Sequence, residues 1–171
     1  MWQNDGGGLM FDQFVFYTTI LAALGSAVIA GNFFSFTAFL LTALRDVPPK
    51  TGIVSMQSIT AAIKSPLFLA VFFGTAALAA MLALAAPFEW HEPQAKWLLI
   101  GSLLYLNGPL GITLMRNLPL NNRLARVRAD SPEGAILWKE FLSSWAMWNN
   151  VRMLMALGAA LSFIVALVRG G

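Results

Sequence analysis

Trp145, Trp148, Asn149 and Arg152 stand at i, i+3, i+4 and i+7, the spacing that gathers side chains on one stripe of a helix. Asn117, Asn121 and Asn122 precede them in sequence, and Gln57 lies one helical turn from Thr60. Brought to one depth, these groups would form the mouth of a binding site. Asn and Gln can orient a phenol or a carbonyl, Arg152 can hold a developing oxyanion, and the two indoles can stack on a flat ring. The same residue types also serve as an interfacial belt, because Trp anchors helices at a membrane surface and a terminal Arg snorkels to headgroups. Spacing alone leaves both readings open.

The elements that must position these residues are set by where charge is missing. The chain holds 32 uncharged residues between Asp12 and Arg45, 24 between Lys64 and Glu89, 19 between Lys96 and Arg116, and 16 between Arg152 and Arg169. A helix of roughly 20 apolar residues crosses the hydrocarbon layer, and only helices satisfy their own backbone there. The 171 residues are therefore read as one all-α domain, a polytopic membrane four-helix bundle with helices extended at the cytoplasmic surface. Spans are expected at about 14–44, 66–86, 97–116 and 150–168, with amphipathic surface helices at about 51–64 and 132–149. Residues 1–13 contain no Lys or Arg, so the first run is expected to be a retained span rather than a signal peptide.

Nine of the eleven basic residues fall between spans one and two or between spans three and four. By the positive-inside rule those two longer loops are expected in the cytoplasm, with both termini and the short loop carrying Glu89 and Glu92 outside. The expected location is the cell (inner) membrane. Val47-Pro48-Pro49 should end span one, Pro66 should start span two afresh, and Gly108-Pro109 should loosen span three. Ser131-Pro132-Glu133 combines a capping hydroxyl, a proline at the first helical position and an acid in the first turn. It predicts a single helix from Pro132 to about Val168. Thr42-Ala-Leu-Arg45-Asp46-Val-Pro48 resembles Thr113-Leu-Met-Arg116-Asn117-Leu-Pro119, 71 residues later. That faint repeat suggests two parallel halves, although Arg followed by Pro also commonly closes a span at the cytoplasmic face.

Composition excludes several chemistries. There is no cysteine, so disulfide and thiolate chemistry are absent, and a single His rules out a multi-histidine metal site in one chain. His91 beside Glu89 and Glu92 reads as a solvated loop, so no metal and no cofactor are expected. A net charge of +3 does not suggest nucleic acid. No acidic or basic residue is expected in the interior of a span, Arg116 and Arg152 standing at span ends, which argues against an ion-coupled transporter. Asn32 and Asn107, the most polar residues at depth, are expected to bond between helices, and the span glycines to allow close approach.

Met56-Gln57-Ser-Ile59, Pro66-Leu-Phe, Asn117-Leu-Pro119-Leu-Asn121-Asn122-Arg-Leu124, Ser131-Pro132-Glu133 and Trp145-Ala-Met-Trp148-Asn149-Asn150-Val-Arg152 together resemble the anthrone oxygenase-like family. These are small four-span membrane proteins, mostly catalogued as a domain of unknown function. The resemblance runs from about Gly31 to the end. It implies binding or oxidation of a flat, lipophilic phenol- or quinone-type ring, since fungal members are associated with oxidising an anthrone to an anthraquinone with molecular oxygen. Many members carry His where this chain has Asn150, and Asn where it has Thr60 and Ser65. The candidate ligand-binding set is Gln57, Asn117, Asn121, Trp145, Trp148, Asn149 and Arg152, with no catalytic base assigned. The alternative is a non-catalytic accessory or lipid- or quinone-binding subunit of a larger membrane complex. Expected partners are membrane lipids, an aromatic ligand or quinone, and a membrane-protein partner or second copy of the chain.

Overall fold

The structure, a computed structural model, describes residues 6–88 and 90–170; Asp5 and Glu89, two of the acids assigned to the outer side, lie outside the described residues. Among the described residues there is no strand. Four long apolar helices, α1 (Gly8–Asp46), α3 (Pro66–Ala85), α4 (Ala95–Arg126) and α5 (Pro132–Gly170), are joined by one shorter helix, α2 (Pro49–Ala62). All four are long and apolar enough to cross a membrane. The chain is an integral membrane protein in type. The four pack in a ring, α1 against α3, α3 against α4, α4 against α5 and α5 back against α1.

Helix ends follow local chemistry. Val47 turns to extended backbone ahead of Pro48 and ends α1. The Ser65 hydroxyl accepts the Phe68 amide at 3.3 Å at the start of α3, and the Ser131 hydroxyl accepts the Gly134 amide at 3.0 Å at the start of α5. Gly108-Pro109 does loosen span three: Leu106–Asn117 is wound as a π-helix, the wider turn that accommodates a proline with no N–H to donate. Phe36–Leu40 in α1 is a π-helix too. Shifted by the 71 residues of the sequence repeat, it falls inside the stretch in α4. The halves differ at their exits, because α4 runs on through Pro119 to Arg126 whereas α1 stops before Pro48.

The helices have unequal reach. At 1.5 Å per residue the 20 residues of α3 cover about 30 Å, one hydrocarbon thickness, whereas the 39 residues of α1 and of α5 cover about 58 Å. The surplus of both projects from the same end of the bundle, where it meets α2 and the last turns of α4. Two cores result. One lies within the bundle and is dominated by alanines with Ile29, Phe33, Phe72, Leu82, Leu98, Tyr105 and Phe163. The other lies in the projecting end and comprises Phe36, Leu41, Leu44, Ile53, Met56, Leu124, Trp138, Phe141 and Trp145.

Two polar residues behave differently from expectation. Asn107 faces outward and donates to the carbonyl of Leu103 in its own helix at 2.8 Å, rather than bonding across to a neighbour. The carbonyl is one turn back, at the edge of the widened stretch. The side-chain oxygen of Asn32 is buried with no partner. Close approach at glycine is seen where Gly108 meets Met155, since a β-carbon there would collide with that side chain; around Gly31 and Gly74 there is open space.

Candidate functional site

The junction of the two cores holds a polar network built by three helices, α1, α4 and α5. Arg152, on α5, is 6% exposed. Its Nη1 donates to the Thr113 hydroxyl at 3.0 Å and its Nη2 to the Asn149 side-chain oxygen at 3.0 Å. The guanidinium lies over the ring of Phe33 at 4.1 Å from its centre and over Trp145 at 5.0 Å, both within cation–π range. Its Nε is buried without a partner. Asn149, fully buried, donates to the Phe33 carbonyl and to the Thr37 hydroxyl, each at 2.9 Å. Thr37 in turn donates to Asn150 at 2.6 Å.

Both hydroxyls that complete the network, Thr37 and Thr113, sit in the two π-helical stretches. A π turn displaces the regular ladder and re-aims side chains, and such turns gather at functional sites. Two other threonines in the spans bond back to their own helix, Thr19 to Val15 and Thr75 to Val71, at 2.7 Å each. Thr37 and Thr113 bond across the bundle instead. Sequence reasoning did not place either in the site. The available signal was the pair of widened turns, visible only as Gly108-Pro109 in one half.

Of the seven candidate residues, Trp145, Asn149 and Arg152 converge at the junction of the two cores. Trp145 is 2% exposed, so it and Arg152 are not the interfacial anchors that the belt reading requires. Arg152 is also a charged group held inside the bundle, which corrects the expectation of apolar span interiors. Trp148 is half-buried beneath Arg116, whose guanidinium stands 4.9 Å from the ring centre, and that pair fits the belt. Asn121 accepts the Trp145 indole N–H at 2.9 Å and fixes the ring. Asn117, fully buried, donates to the Trp145 carbonyl at 3.3 Å and keeps its own oxygen unpartnered. Gln57 is engaged elsewhere. Its amide donates to the carbonyls of Leu124 at 2.8 Å and Val127 at 3.1 Å, tying α2 to the end of α4.

Beside this network is a cavity of about 160 Å³. Phe33, Phe36, Phe68, Phe72 and Trp145 supply aromatic wall, and Arg152, Thr113, Asn121 and Thr60 supply polar atoms. Asn121, Trp145 and Arg152 thus line it; Gln57, Asn117, Trp148 and Asn149 stand behind or outside its wall. Lys64, Leu69, Phe73 and Leu114 line it on the exposed side. The arrangement can seat a flat ring and point a positive, hydrogen-bonding fork at an oxygen on that ring.

A family model described as anthrone oxygenase matches residues 68–162, a segment that includes Thr113, Asn121, Trp145, Asn149 and Arg152. No curated protein and no solved structure matches the chain.

Proposed function

The chain belongs to the anthrone oxygenase family, and from that premise we propose that it binds a flat, lipophilic phenol- or quinone-type ring beside Arg152 and promotes its oxidation by molecular oxygen. The observation that carries this reading is Arg152 in the wall of an aromatic cavity, braced by Thr113 and Asn149 and bonded to no carboxylate.

Phenols and anthrones become electron-rich when ionised, and the carbanion form of the ring reacts with oxygen directly. In an anthrone one ring CH₂ becomes C=O; one atom of the oxygen molecule enters the product and the other leaves as water. The residues' part is to seat the ring, exclude water and favour the ionised form. Trp145 and Phe33 flank the guanidinium, which leaves it little choice of orientation. A preorganised charge in a dry site stabilises a developing oxyanion more than water does. None of the lining residues is Asp, Glu or His, so the proton passes to solvent or to oxygen-derived base rather than to a wall carboxylate or imidazole.

On the charge asymmetry of the loops, we place the projecting end and the cavity on the cytoplasmic side of the cell membrane, with both termini outside. The test is oxygen uptake and quinone formation by purified protein in lipid nanodiscs supplied with anthrone or a hydroquinone. Turnover should fall by about 100-fold or more in Arg152→Gln, the usual loss when an oxyanion donor is removed. Absence of both ring binding and turnover, with co-purification of a second membrane protein at fixed stoichiometry, would instead identify an accessory subunit.

A further inference from the structure

The cavity beside Arg152 has a second cation in its wall, Lys64, and the inference drawn from it rests on the ring-binding reading above. Lys64 is exposed and stands in the turn that joins α2 to α3. Backbone bonds fix that turn. The Lys64 amide donates to the Ala61 carbonyl at 3.3 Å, and the Ser65 amide to the Ala62 carbonyl at 3.1 Å. Ser65 then caps α3. The stem of Lys64 therefore starts from a defined place at the open side of the cavity, and only its side chain is free to adjust.

The two cations of the wall differ in depth and share a sign. Arg152 is buried and hydrogen-bonds only to neutral oxygens, on Thr113 and Asn149. Lys64 forms no ion pair among the described residues, and none of the residues lining the cavity is acidic. The rest of the wall is largely aromatic. Two like charges facing one apolar space repel each other, and a ligand with oxygen at both ends relieves both. Depth suits this as well. The 20 residues of α3 cover about one hydrocarbon thickness from Pro66 onward, so Lys64 lies at the edge of the apolar layer. A charged group held there keeps its contact with water while the ring it belongs to stays among the aromatic side chains. The cleft is open beside Lys64, so it sets no limit on the number of rings.

We propose that Lys64 is a specificity-determining residue, and that the site takes rings carrying oxygen at two opposite edges. One oxygen is held by Arg152 inside, and the second, an anionic group such as a carboxylate, is held by Lys64 at the mouth.

The test uses the full chain in phosphatidylcholine nanodiscs and two probes. One is 6-hydroxy-2-naphthoic acid, whose carboxyl is ionised at neutral pH. The other is its methyl ester, which keeps the ring and the hydroxyl and loses the charge. Naphthyl fluorescence, excited beyond the tryptophan band, reads binding. The ratio of the two affinities is compared between variants, so that unequal partitioning of acid and ester into lipid cancels. Lys64→Gln should weaken the acid by about fivefold and leave the ester unchanged, a modest factor because Lys64 is exposed. Lys64→Arg, which keeps the charge, should keep the ratio. Arg152→Gln should weaken acid and ester alike, since both offer it the hydroxyl. A ratio unaltered in Lys64→Gln overturns the proposal and leaves Lys64 to lipid phosphates. Loss of the acid alone in Arg152→Gln also overturns it, because the carboxylate would then sit on Arg152. In both of those cases ring binding stands. Should Arg152→Gln fail to fold, the two Lys64 variants decide alone. If the unaltered protein binds neither probe, both readings fall.

Discussion

The two cores use different materials for the same task. Within the bundle, Ala22, Ala30, Ala79, Ala156 and Ala159 let helices approach closely, with Phe163 and Tyr105 filling what remains. In the projecting end, Trp138, Phe141 and Trp145 stack in sequence along α5, with ring centres 5.6 Å apart at each step, and Phe36 closes on Trp145 at 5.1 Å. With the projecting end placed outside the bilayer, as proposed above, the difference follows from solvent. Lipid tails are as apolar as a leucine, so burying a side chain between helices in a bilayer gains packing but little hydrophobic free energy. Beyond the bilayer, water is the alternative environment and large aromatic surfaces become worth burying. The cavity sits where the two cores meet, with Phe33 and Phe72 from one and Phe36, Met56 and Trp145 from the other.

Phe141 and Phe163, both fully buried, give the comparison its sharpest test. Phe141→Ala should lower stability by about 3–5 kcal/mol, the usual sum of transfer and cavity terms. Phe163→Ala should cost about half of that, because in lipid the cavity and packing terms remain while most of the transfer term is lost. Reversible unfolding in mixed micelles measures both, and equal losses would break the distinction between the cores.

Gly108→Val comes next in size. Its β-carbon would meet Met155, which should separate α4 from α5 and cost about 1–3 kcal/mol by overpacking, together with loss of ring binding. Preserved binding at lowered stability would show that the π-helical stretch does not set the cavity. Gln57→Leu removes the donor to the carbonyls of Leu124 and Val127 and should cost about 1–2 kcal/mol without changing ligand affinity, since Gln57 is not part of the cavity wall. A loss of affinity without a loss of stability would return Gln57 to the site.

The smallest effect belongs to the exposed bidentate pair of Arg123 and Glu140, at 2.6 and 2.9 Å. The hydrogen bond from Arg123 holds the Glu140 carboxyl below its ordinary value of 4.5. A depressed carboxylate adds stability above the unfolded-state value and loses it as pH falls through the folded one. The contribution should therefore be present at neutral pH, fade as acid is added below about 4.5, and be weakened by salt. Glu140→Gln should remove that pH dependence and leave the neutral-pH melting temperature almost unchanged.

Much of this architecture can be read from punctuation in the sequence. Charge-free runs marked the four long helices, Val47-Pro48-Pro49 marked the end of α1, and Ser131-Pro132-Glu133 marked the start of α5. Helical spacing put Trp145, Asn149 and Arg152 on one stripe; that the stripe faces inward is seen only in the structure. Spacing could not separate Trp148 from them, because three residues beyond Trp145 is also a neighbouring face, and only the position of Arg116 turns it toward the belt. Thr37 and Thr113 were hidden for another reason. A threonine in an apolar run ordinarily bonds its own helix, and nothing in its identity announces a widened turn. Asn107 was misjudged by the same logic in reverse, its amide being satisfied within its own helix.

The account depends on the cavity beside Arg152 being where the ligand sits. A density map of the protein extracted in native lipid and supplied with 4-nitrophenolate tests this most directly. The account predicts a single flat ring between Phe72 and Trp145, with its charged oxygen toward the guanidinium of Arg152. An empty cavity with the ring lodged elsewhere, for instance in the cleft at the opposite end of the bundle lined by Asp12 and Glu92, would contradict it.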